Sequence, residues 1–119
     1  TLRFCLLTYM AYFENSHGFI EYTLENIKHR IRTGEVLYLE SNRKKTILYT
    51  RKGNFSVYGK VSDIIRIHKN KFVCISRGIY VNIQHIVEAT AREVYLTDGV
   101  RLSVSRGCQD TVRDRLSEI

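Results

Sequence analysis

The stretch Phe72 to Asn82, FVCISRGIYVN, restricts the fold more than any other part of the chain. Alternate residues Val73, Ile75, Ile79 and Val81, with Ile83 just beyond, line one face of an extended backbone. Arg77 falls on that same face, where a buried strand does not accept an unpaired guanidinium. Breaking the strand at Ser76-Arg77-Gly78 removes the conflict, because Gly78 tolerates backbone angles that other residues avoid. Arg77 is then thrown outward on a loop with apolar anchors on both sides. A guanidinium presented this way suits a phosphate or a guanine edge. Taken alone, the run fits a surface arginine packing its stem on a neighbour at least as well.

The rest of the chain shows the same two-residue period, punctuated by turns. Leu2 to Phe13 reads as extended and apolar, with a turn at Asn15-Ser16-His17-Gly18. Phe19 to Tyr22 and Ile27 to Ile31 read as strands, and in the second Lys28, Arg30 and Arg32 face away from Ile27, His29 and Ile31. Thr33-Gly34 turns the chain into a short strand, Val36 to Glu40. The polar turn Ser41-Asn42-Arg43-Lys44 leads to Lys45 to Arg51, and Lys52-Gly53 to Asn54 to Tyr58. Val61, Ile64, Ile65 and His68 then recur at helical spacing, predicting a short helix over Lys60 to Lys69. Phe72 to Ile75 returns to strand, and Ile79 to Ile83 fits either strand or a turn of helix. Ile86 to Ala91 is a strand, and Asp98-Gly99 joins strands Val94 to Thr97 and Val100 to Ser105. Asp110 to Ile119 reads as a second helix. The expectation is a mostly β protein of antiparallel sheets with two short helices. No internal linker is visible, because proline and low-complexity segments are absent.

Charge is concentrated rather than spread. Of the net +7, the segment Ser41 to Tyr80 alone carries +9, from 10 basic residues and 1 acidic residue, while each flank carries −1. A solubilising face usually mixes signs, so the excess reads as the footprint of a polyanion binder. The 44% hydrophobic and 26% charged shares fit a soluble globular domain of this length. No apolar run is long enough to span a bilayer, and Phe4 to Phe13 lacks the flanks of a signal peptide. Thr1 is not an initiator methionine, which fits a piece of a longer chain. Cys5, Cys74 and Cys108 are odd in number and widely spaced, so reduced, mostly buried thiols in a cytoplasmic protein are expected.

Catalytic chemistry finds no foothold. Phosphate-cradling glycine motifs, a nucleophile elbow, a spaced carboxylate pair and metal-ligand spacing are all missing from the sequence, so no enzyme, metal or cofactor is expected. His29 and His68 fall on apolar faces and read as structural, whereas His85 reads as exposed. Tyr49, Tyr58 and Tyr80 read as core or rim packing. The cations are better placed. Arg43, Lys44 and Lys45 sit at one predicted turn, Arg77 at the broken strand, and Arg106 at the exit of the last hairpin. Three loops can thus present cations on one side of a β scaffold, with Asn42, Ser76 and Ser105 adding hydrogen bonds. RNA is a weaker fit, since no RNP-like aromatic motif is present.

In this order the residues resemble the LytTR family of bacterial DNA-binding domains. Glu35 to Ser41, EVLYLES, is similar to the family's D-I-x-Y-I-E-S strand, and FSVYGK, Phe55 to Lys60, to the approach to its first helix. Phe72 to Asn82 aligns with F-V-R-x-H-x-S-Y-L-V-N, and His85-Ile86 follows at the expected distance. Asp98-Gly99 and Leu102 to Arg106 resemble the N-G-x-x-L-P-V-S-R ending. The resemblance implies an elongated antiparallel β fold over 27–119, behind an N-terminal extension or first-strand region over 1–26. It implies a sequence-specific transcription regulator whose loops enter major grooves of double-stranded DNA. Such modules commonly act as homodimers on repeated sites, as the output of a two-component response regulator behind a receiver domain. The DNA-binding residues would be Asn42, Arg43, Lys44, Lys45, Ser76, Arg77 and Arg106, with Arg51 and Lys52 also neutralising phosphates. Cys74 and Ser76 replace the family's arginine and histidine, and Gly78 and Ile79 its serine and tyrosine. These departures are expected to change base preference or weaken binding, and Gly78 to loosen the segment that holds Arg77. The alternative is a diverged module for dimerisation or partner binding, through Leu6, Leu7, Met10 and Phe13.

Overall fold

The computed structural model describes residues 18–117. The N-terminal apolar stretch, including Leu6, Leu7, Met10 and Phe13, lies outside the described residues. Strands β1 (Phe19–Leu24) and β2 (Ile27–Arg32) form a hairpin. A five-stranded antiparallel sheet follows, from β3 (Val36–Asn42), β4 (Lys45–Thr50), β5 (Gly53–Tyr58), β6 (Phe72–Ser76) and β7 (Ile79–Asn82), in the order β5-β4-β3-β7-β6. Helix α1 (Val61–His68) connects β5 to β6. Strands β8 (Ile86–Ala89), β9 (Glu93–Leu96) and β10 (Arg101–Ser103) make a third sheet, and helix α2 (Gln109–Ser117) closes the described chain. The principal axes measure 52 × 31 × 24 Å. The antiparallel β architecture with two short helices is the one the sequence predicts.

In the central sheet, inner β3 and strand β6 are covered on both faces, which explains why they read as nearly continuous apolar runs, whereas β5 leaves most of its residues exposed. On one side Ile20, Val36, Leu39, Leu48, Val57, Val61 and Phe72 pack beneath the β1–β2 hairpin and α1. On the other, Leu37, Val73, Ile75, Val81, Val94, Leu96, Val104 and Val112 pack beneath the third sheet and α2. Successive residues Phe72 and Val73 thus enter different cores. A register shift near Leu37 bends β3 where it passes between them.

Two buried polar side chains tie the layers together. Asn82 is 2% exposed, and its Nδ2 donates to the carbonyls of Thr33 and Val36, each at 2.9 Å. Its Oδ1 accepts from the Gln84 N–H at 3.0 Å, capping the 3-10 turn Ile83–His85. The stretch Ile79 to Ile83 is therefore both alternatives in succession, strand to Asn82 and then helical turn. His85 is buried, contrary to the expected exposure. The strand that follows it is largely exposed, but the ring itself is covered because it spans the gap between Gly34 and Thr97. Nε2 contacts the Gly34 carbonyl, which can only accept, so Nε2 carries the proton. In the neutral ring Nδ1 then accepts from the Thr97 hydroxyl at 2.9 Å.

Glu40 is likewise committed to structure. The Tyr49 hydroxyl donates to its carboxylate at 3.0 Å, and the Tyr38 and Tyr49 rings stack with centroids 4.1 Å apart. Burial, then the Glu40 hydrogen bond and charge, push the Tyr49 hydroxyl up to about 12. It therefore stays a donor across the physiological range.

Candidate nucleic-acid interface

The β3–β4 turn is Arg43-Lys44, since Asn42 pairs with Lys45. The β6–β7 turn is Arg77-Gly78, since Ser76 pairs with Ile79. β3 and β7 are neighbours in the sheet, so both turns leave from the same end. A hydrogen bond joins them directly, from the Ser41 N–H to the Gly78 carbonyl at 2.7 Å. Gly78 sits at φ 82°, and a Cβ added there would lie 3.1 Å from the Ser41 Cβ. The glycine is the residue that permits this turn and its close approach to β3.

Arg106 reaches the same end by a different route. The sequence extends the last strand to Ser105, but β10 stops at Ser103. The chain then crosses to the central sheet, where the Ser105 N–H donates to the Ile75 carbonyl at 2.7 Å. That bond sets Arg106, in the turn Arg106–Cys108, beside the end of β6. Along the end of the sheet the exposed cations follow in order: Lys44 and Arg43, then Arg77, then Arg106. Asn42 is exposed beside them, and Lys45 and Ser76 are half-buried at the strand ends. All seven residues singled out in the sequence are brought to this ridge.

Among the described residues, ion pairs join Arg101 to Glu93, and Arg113 to Asp110 and Asp114. None of them uses Arg43, Lys44, Lys45, Arg77 or Arg106. Lys45 lies 4.7 Å over the ring of Tyr58, which is 74% exposed. Tyr58 is therefore a surface ring carrying a cation rather than core packing.

The ridge gains a cation that sequence reasoning passed over and loses two that it proposed. The Gly59 N–H donates to the Lys44 carbonyl at 3.0 Å, and Thr46 Oγ1 donates to the Gly59 carbonyl at 2.9 Å. Exposed Lys60 follows at once and extends the row. Arg51 and Lys52 occupy the β4–β5 turn, where Thr50 pairs with Gly53. Successive turns of an antiparallel meander alternate ends, so this one lies a strand's length, about 17 Å, from the ridge. Their assignment alongside Arg43 is corrected on that ground. The signal was in the sequence: counting turns along the meander puts residues 43–44 and 59–60 at one end and 51–52 at the other.

Arg43 carries a conformational cost. It is a non-glycine residue at φ 60°, in the left-handed region. A two-residue hairpin turn demands such an angle, as the Glu25-Asn26 turn does, and here it falls on an arginine rather than a glycine. Arg43→Gly should raise folding stability by about 0.5–1 kcal/mol in denaturant unfolding, yet weaken binding to duplex DNA. Stability and affinity falling together would show that the arginine supports the turn itself.

A family model for the LytTr DNA-binding domain matches residues 26–117. Among solved structures, the fold is similar to the LytTr DNA-binding domain of a protein described as a methyl-accepting/DNA response regulator from Bacillus cereus. The TM-score is 0.69 at 20% identity, covering 83% of this chain and 96% of that one. No curated protein matches in sequence. Among the described residues no helix is long and apolar enough to cross a membrane. With the family model spanning most of the chain and the fold agreeing, the chain belongs to the LytTR family of DNA-binding domains.

Proposed function

We propose that this domain is a sequence-specific transcription regulator that lays the sheet-end ridge along duplex DNA. The turns at Arg43-Lys44, Arg77 and Arg106 enter successive major grooves. The observation that carries this reading is the meeting of cations from three separate turns on one edge, outside the ion pairs of the described residues. Arg77 and Arg106 read base edges, whereas Arg43, Lys44, Lys45 and Lys60 neutralise phosphates, and Asn42 and Ser76 add hydrogen bonds. The response-regulator description of the Bacillus cereus relative supports a role as the output domain behind a receiver; binding to a bacterial chromosome would place it in the cytoplasm. A single domain presents one ridge, so repeated sites would be occupied by a homodimer.

Selection of bound sequences from a random duplex pool tests this directly. Enrichment of one short element, repeated at a fixed spacing, is expected. Recovery of unenriched DNA, together with gel shifts abolished by moderate salt, would leave only non-specific charge attraction.

A further inference from the structure

Two thiols far apart in the chain meet beside the ridge. Cys74 is on β6, three residues before Arg77, and Cys108 closes the turn that begins at Arg106. Their Sγ atoms are 3.9 Å apart, and both are free and half-buried. The backbone holds the two segments in register through the bond from Ser105 to Ile75 and another from the Cys108 N–H to the Ser105 carbonyl at 2.9 Å. The Cys74 thiol also donates to the Ser76 carbonyl at 3.1 Å, next to the Arg77 turn.

We propose that Cys74 and Cys108 form a reversible disulfide, driven by a peroxide oxidant, that shifts the Arg106 turn against the Arg77 hairpin and lowers DNA affinity. The disulfide stands on the thiol geometry alone, and its effect on DNA rests on the function proposed above.

Burial, with the neighbouring Cys108 adding to it, pushes the Cys74 thiol up, so Cys74 is a poor first nucleophile near neutral pH. Cys108, beside exposed Arg106 and Gly107, meets the oxidant. Its thiolate attacks one peroxide oxygen and breaks the O–O bond, giving a sulfenic acid and hydroxide. Cys74 then loses its proton, attacks the Cys108 sulfur and displaces the second hydroxide. With the protons accounted for, two thiols and one hydrogen peroxide give one disulfide and two waters.

Bond formation requires the sulfurs to approach by about 2 Å. Cys74 is held in the sheet by its pairing with Tyr80, so the movement falls on the short turn that carries Arg106. Loss of that contact alone corresponds to roughly tenfold in affinity.

The test uses the full chain with Cys5→Ser, which leaves only this pair. Stoichiometric hydrogen peroxide should remove both alkylatable thiols, lower the mass by two hydrogens and yield one peptide linking Cys74 to Cys108. Affinity for the selected duplex should fall roughly tenfold and return with dithiothreitol. Adding Cys108→Ser should abolish both the linkage and the peroxide response. Sulfinic acid on one cysteine without the linked peptide would overturn the disulfide. A linked peptide with unchanged DNA affinity would overturn the regulatory effect. If the reduced protein binds no duplex, the proposed function fails and takes the regulatory effect with it, while the peptide map still decides the disulfide.

Discussion

Replacing Asn82 by alanine should cost about 2–4 kcal/mol of folding stability. The side chain is 2% exposed and makes three hydrogen bonds to backbone groups of two separate segments. Alanine leaves the Thr33 and Val36 carbonyls and the Gln84 N–H without this partner, where water has little access. Asn82→Asp sharpens the test. Aspartate still accepts from Gln84, but sets a negative charge against two carbonyl oxygens, so it should destabilise at least as much at neutral pH. The folded state would then hold that carboxyl above its unfolded value and bind more protons. Stability of this variant should therefore recover as the pH falls, against the usual acid trend. Chemical denaturation of both variants across pH checks this; a loss below 1 kcal/mol for alanine would show that the network is dispensable.

Arg77→Ala should weaken binding to the selected duplex by about 1–3 kcal/mol and narrow the gap between selected and random DNA. Arg77 is exposed at the tip of the β6–β7 turn and is in no ion pair of the described residues, so its removal should leave the fold intact. Equal losses on selected and random duplex would reassign Arg77 to a phosphate, and no loss on either would remove it from the interface.

The architecture was legible where local chemistry and periodicity agreed. Arg77 on an apolar face forced a break at Gly78, and Asp98-Gly99 marked a hairpin whose Gly99 adopts φ 82°. Both helices appeared in place, because Val61, Ile64 and His68 or Val112 and Leu116 can share an inner face only at helical spacing. The row of cations was legible as a charge excess and in Arg43, Lys44, Lys45, Arg77 and Arg106, but its full membership was not. Membership depends on which end of the sheet each turn occupies, a property of the whole meander; this separates Arg51 and Lys52 from Arg43 and admits Lys60. Ser105 is bonded to Ile75 across 30 positions of sequence, so no local pattern announces that Arg106 lies beside Arg77. The nearness of Cys74 and Cys108 follows from the same crossing. His85 was misread because its partners, Gly34 and Thr97, come from distant turns.

The salt dependence of duplex binding for two double variants of equal charge tests the ridge most directly. Arg43→Ala with Arg106→Ala removes two cations from the sheet end that carries Arg77; Arg51→Ala with Lys52→Ala removes two from the opposite end. Long-range attraction changes equally in both, so only location differs. The ridge pair should reduce the slope of log affinity against log salt by about 0.9, for the phosphate that Arg43 neutralises; about 1.8 would assign Arg106 to a phosphate as well. The distant pair should leave the slope unchanged. Equal slopes for the two variants, or a larger change from Arg51 and Lys52, would contradict a DNA contact surface at this end of the sheet.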